Sequence, residues 1–75
     1  MTYTVDTIEL RKAMAEAQLN TIADLSEKSG VNRNTVSDVV NGKIRPSGTV
    51  IEKMAEALSL DGAGIGRIFF KNELA

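Results

Sequence analysis

The sequence predicts an all-α fold, a compact bundle of five short helices in which the second and third cross steeply. Residues 21–42 hold two helix-start signals and two glycine stops in succession, and apolar residues recur at 3- and 4-residue spacing on both sides of them. The single proline, Pro46, falls just beyond the second stop. All 75 residues read as one domain.

Residues 1–5 are expected to form a short arm. Asp6 and Glu9 make a capping-box pair, with Val5 and Leu10 at the positions of a hydrophobic staple, so a first helix is predicted over residues 7–18. Its inner stripe is Leu10, Ala13, Met14 and Ala17, and Leu19 and Asn20 then turn the chain. Thr21 can accept from the unpaired amides of the next turn, and Asp24 favours the positive helix start, so a second helix begins here. It presents Ile22, Leu25 and Ser29 until Gly30 supplies the left-handed conformation that ends a helix without a Cβ penalty. Asn32 is a second N-cap two residues later, and residues 33–41 carry Val36, Val39 and Val40 on one side before Gly42 closes the third helix in the same way. Helices joined by so short a turn cannot lie antiparallel, which makes residues 21–42 a helix-turn-helix. Residues 43–46 are a loop, because Pro46 disfavours helix for Arg45. Ser47 caps a fourth helix over residues 48–59, with Val50, Ile51, Met54, Ala55 and Leu58 inward. Residues 60–66 read as a break. A fifth helix over residues 63–70 is weakly signalled, since each of its nearby glycines costs about 1 kcal/mol of helix stability. Residues 71–75 are expected to be an extended tail.

The run Leu25-Ser26, Gly30-Val31-Asn32, Thr35-Val36-Ser37, Val39 and Asn41-Gly42 resembles the helix-turn-helix domains of the Cro and phage-repressor type. Lys43, Arg45, Pro46 and Ser47, then Val50, Met54, Ala55 and Leu58, extend the resemblance over residues 8–60. There are two departures. Ile22 stands where the family often has a glutamine that touches the DNA backbone. Val40 replaces a usually polar residue, so either the core is wider here or that helix face meets another surface.

At this size the chain buries only about 60 to 65 per cent of its unfolded surface, which excludes a large enzyme core. With neither cysteine nor histidine, it lacks thiolate ligands and the commonest metal ligand and general base. No cofactor, small-molecule ligand or enzymatic activity is expected. No apolar run is long enough to span a bilayer, and the N-terminus has no signal-peptide pattern, so a soluble, cytoplasmic chain without membrane contact is expected. The net charge of −1 argues mildly against nucleic acid, but it is unevenly spread. Residues 1–27 sum to −3, whereas residues 28–45, with Lys28, Arg33, Lys43 and Arg45 against Asp38, sum to +3. The segment from residue 62 to residue 66 (Gly-Ala-Gly-Ile-Gly) lacks the preceding strand of a dinucleotide fingerprint and reads as a connection.

The resemblance implies base-edge contacts to double-stranded operator DNA from Arg33, Asn34, Ser37 and Asp38 on the recognition helix. Arginine pairs bidentately with guanine and asparagine with adenine, while a carboxylate can only accept from a base amino group. Thr21, Asn32 and Thr35, with Asn41, Lys43 and Arg45 of the following loop, fall at backbone-contacting positions. Ile65, Ile68, Phe69, Phe70 and Leu74 are more apolar than one face of a short helix can bury. Since related repressors dimerise through C-terminal elements, residues 61–75 are the expected dimerisation segment, with Ile65, Phe70 and Leu74 at the interface. The reading is a sequence-specific transcriptional repressor acting as a homodimer. The alternatives are an antitoxin with the same DNA-binding fold and a helical protein-interaction module.

Overall fold

The computed structural model describes residues 3–72. Five helices follow a two-residue strand, β1 (Tyr3–Thr4): α1 (Thr7–Glu16), α2 (Ile22–Ser29), α3 (Arg33–Val40), α4 (Gly48–Ala57) and α5 (Gly62–Phe69), with β2 (Lys71–Asn72) last. The expected bundle is present, and no helix among the described residues is long and apolar enough to cross a membrane.

The start signals work as local chemistry requires. Asp6 accepts from the Glu9 amide, Thr21 from Asp24, Asn32 from Asn34 and Ser47 from Val50. Gly30 and Gly42 both adopt positive φ, +75° and +71°. The first and fourth helices end about two residues earlier than expected, and the cause is the same in both. Gln18 and Ser59 take left-handed φ of 60° and 55°, and the next residue bonds back over five positions, Leu19 to the Met14 carbonyl and Leu60 to Ala55. Without a glycine to mark them, these stops are silent in the sequence.

The C-terminal third corrects the expectation of a break over residues 60–66. The residues from Gly62 on are helical because Asp61 caps α5, accepting from the Gly64 amide at 2.7 Å, and because Ile68 and Phe69 are buried in the common core. Nor are residues 3–5 and 71–72 a free arm and tail; the rest of those two expected segments lies outside the described residues. Tyr3 and Thr4 pair antiparallel with Asn72 and Lys71, and the Asp6 amide donates to the Ile68 carbonyl at 2.7 Å, so the ends of the described chain are tied together.

A single core runs through the helices: Leu10 and Met14 of α1, Leu25 of α2, Val36, Val39 and Val40 of α3, Met54 of α4, and Ile68 and Phe69. Val40 is fully buried, so of the two explanations for an apolar residue there, the wider core is the one that applies.

Two substitutions test the turn geometry by thermal melting. Gly42→Val should destabilise by about 2 kcal/mol or more, because a β-branched residue is strained at that φ and a Cβ would lie 3.2 Å from Thr7 Cγ2. Gln18→Gly should instead leave stability unchanged or raise it by up to about 1 kcal/mol, since it relieves a left-handed strain already present.

Candidate nucleic-acid interface

The three buried valines of α3 dictate what its other side shows. With Val36, Val39 and Val40 inward, positions 33, 34, 37, 38 and 41 form one outward stripe at i, i+1, i+4, i+5 and i+8. Arg33 and Asn34 are exposed on the first turn, while Ser37 and Asp38 are half-buried further along. Thr35 lies half-buried at the side of this stripe, next to the α2–α3 turn.

The turn itself is braced by side chains. Ser26 Oγ donates to the Val31 carbonyl at 2.6 Å, and the Val31 amide donates to Ser29 Oγ at 3.2 Å. Asn32 is held as the cap of α3, its Oδ1 2.8 Å from the Asn34 amide, and Thr21 is likewise the exposed cap of α2. Both cap oxygens mark helix N-termini, where free amides and the helix dipole attract an anion.

The loop after α3 divides in two. Lys43 is anchored through its amide to the Asp38 carbonyl at 2.8 Å, and its side chain is exposed. Arg45 folds against the ribbon: Nη1 donates to the Tyr3 carbonyl at 3.2 Å, and the guanidinium carbon lies 5.5 Å from the Tyr3 ring centre and 5.9 Å from that of Phe70. The two rings meet edge to face at 5.8 Å. Arg45 is therefore oriented by an aromatic clamp that no spacing rule reveals. Asn41, the exposed C-cap of α3, is held between Arg11 Nη2 at 3.1 Å and Ser37 Oγ at 3.3 Å. Sequence reasoning missed Arg11, which lies 30 positions away on α1.

The ion pairs gather where the start of α1 meets the C-terminal segment. Glu9 pairs with Lys12 at 3.3 Å and Arg67 at 3.1 Å, and Asp6 faces Lys71 at 3.8 Å. Among the described residues Arg33, Lys43 and Arg45 make no ion pair. Arg33, Lys43 and Arg45 thus add unpaired positive charge on the α3 side, while Glu9 and Asp6 at the start of α1 are met by Lys12, Arg67 and Lys71.

Of the residues expected at a subunit interface, Phe70 is 40% exposed, Ile65 is half-buried against the core, and Leu74 lies outside the described residues. Ile68 and Phe69 are core.

The family model described as Helix-turn-helix matches residues 10–65 of the chain. No curated protein matches. Among solved structures, the chain is similar to one of Streptomyces albus HEPD with substrate 2-hydroxyethylphosphonate and Fe(II) bound, at 26% identity and a TM-score of 0.67. The match covers 87% of this chain but 14% of that one, and the iron and the phosphonate are said of that protein.

The outward stripe and the buried valines should separate cleanly in stability measurements. Arg33→Ala and Asn34→Ala are expected to melt within about 0.5 kcal/mol of the wild type, whereas Val40→Asn should lose about 2 kcal/mol or more by placing an unpartnered amide in the core. A large loss from either surface variant would mean that the stripe is structural.

Proposed function

This chain belongs to the helix-turn-helix family of DNA-binding domains, of the Cro and phage-repressor type, and from that premise we propose that it is a sequence-specific transcriptional repressor acting as a homodimer on a two-fold operator. One observation carries the reading: α3 turns a polar stripe outward, with Arg33 on it and Lys43 and Arg45 beside it, and these three cations form no ion pair among the described residues. In this architecture the N-terminal residues of the second helix enter the major groove.

Arg33, Asn34, Ser37 and Asp38 are assigned to base edges. Thr21, Asn32, Thr35, Asn41, Lys43 and Arg45 are assigned to the phosphate backbone, which positions the domain without reading sequence. Asp38 can serve only an exposed base amino group, because a carboxylate repels phosphate. No catalytic role is proposed.

A dimer is favoured because α3 has eight residues and can span only a few base pairs, too short a site to be rare in a genome. Two copies about 34 Å apart would read two successive turns of the major groove. Phe70, exposed at the end of α5 beside Tyr3, is the natural centre of a self-complementary patch, with Ile65 contributing.

The sites can be tested on duplexes selected from a random pool. Arg33→Ala and Asn34→Ala should each weaken the selected site by about 1 to 3 kcal/mol and leave random DNA nearly unaffected, while Lys43→Ala should lower affinity evenly and reduce the salt slope by about one ion. Equal losses on selected and random DNA would remove Arg33 and Asn34 from the base-reading set. In sedimentation, Phe70→Lys should shift a dimeric wild type to a folded monomer, because it sets like charges across the two-fold axis next to Arg45; a monomeric wild type would refute the dimer.

A further inference from the structure

The contacts between Arg11, Asn41 and Ser37 have a direction that chemistry fixes from one end. Arg11 Nη2 lies 3.1 Å from Asn41 Oδ1, and Asn41 Nδ2 lies 3.3 Å from Ser37 Oγ, one turn back along α3. A guanidinium has only donors, so the Asn41 atom that faces it must be the carbonyl oxygen. The amide nitrogen then faces Ser37, and the serine oxygen has to accept. Among the described residues the Ser37 hydroxyl donates to no protein acceptor, so its proton is available on the outward stripe between Arg33 and Asp38.

We propose that Arg11, acting through Asn41, sets Ser37 as a hydrogen-bond donor toward DNA, so that two residues that need touch no base determine which base Ser37 prefers. The inference rests on the assignment of Ser37 to base edges. In the major groove guanine offers N7 and O6 and thymine offers O4 as acceptors, whereas cytosine offers only the N4 donor. A serine held as a donor therefore favours guanine or thymine at its base pair and disfavours cytosine. The preference can be inverted without changing Ser37. Asn41→Asp would turn a carboxylate oxygen toward Ser37, draw the hydroxyl proton inward and leave lone pairs facing the groove. Arg11→Glu would reach the same state by another route, because an acceptor at position 11 favours the turned-over Asn41 amide, with Oδ1 toward Ser37.

Selection from random duplexes, followed by affinity measurements at fixed salt, would test this with the wild type, Asn41→Asp, Arg11→Glu, Ser37→Ala and the Ser37→Ala/Arg11→Glu double variant, each checked by circular dichroism. The wild type should prefer guanine or thymine over cytosine at one base pair by about threefold to tenfold, the worth of one hydrogen bond. Ser37→Ala should abolish that preference, Asn41→Asp and Arg11→Glu should each move it toward cytosine or adenine, and the double variant should behave as Ser37→Ala. Added negative charge lowers affinity for all sequences alike and cancels in the ratio. Because Arg11 is exposed on α1, the Arg11→Glu variant carries the test even if Asn41→Asp weakens the end of α3. If Ser37→Ala changes the preference but neither Asn41→Asp nor Arg11→Glu does, the proposal is overturned and the base contact stands. If Ser37→Ala changes no position, the base contact itself fails and takes the proposal with it.

Discussion

The burial of three valines on one eight-residue helix is the constraint on which the rest of this molecule depends. Val36, Val39 and Val40 are all fully buried in the common core, with α3 packed against α1 and α2. A helix held at three points on one side has no freedom to rotate, so its polar stripe is aimed by packing. The core contains no buried polar or charged residue among those described, so the polar side chains of α3 all lie at least partly at the surface. Hydrophobic burial thus does more than stabilise: it decides which residues a partner can meet.

The parts of the fold that were legible in the sequence are those decided by residues three or four apart. Asp6, Thr21, Asn32 and Ser47 announced their helices because a cap is a local bond, and Gly30 and Gly42 announced their turns because positive φ is costly for other residues. Gln18 and Ser59 adopt the same conformation without such a marker, so α1 and α4 end earlier than their residues signal. The glycines at positions 62, 64 and 66 pointed to a break, but the Asp61 cap and the burial of Ile68 and Phe69 outweigh their propensity. Gly64 is itself buried, and a Cβ there would lie 3.3 Å from both Asp61 Oδ1 and Leu60 Cδ2, so close packing accounts for at least one of the three.

The candidate interface was legible to the same degree and for the same reason. That Arg33, Asn34, Ser37 and Asp38 share the outward side of α3 follows from the helical period once the valines are assigned inward, while a role toward bases is implied only by the resemblance to the family. Arg11 and the Tyr3–Arg45–Phe70 clamp do not follow in this way, because they join residues far apart in the sequence through contacts that have no period. Arg45 shows the limit clearly. The sequence shows only a cation in the loop after α3, and the fold stacks it on two aromatic rings from distant parts of the chain.

The pairing of Tyr3–Thr4 with Lys71–Asn72 has a consequence for the order of events in folding. Closing a loop of about 70 residues for so few backbone bonds is entropically unfavourable in an open chain, and the closure cost grows with loop length. The ribbon can pair only after the helices have brought its two halves together, and it is the segment best placed to fray while they persist. The chain has one tyrosine and no tryptophan, and that tyrosine is Tyr3. Its emission is thus a gauge of this latch rather than of the helical core, and the two can lose their order at different temperatures.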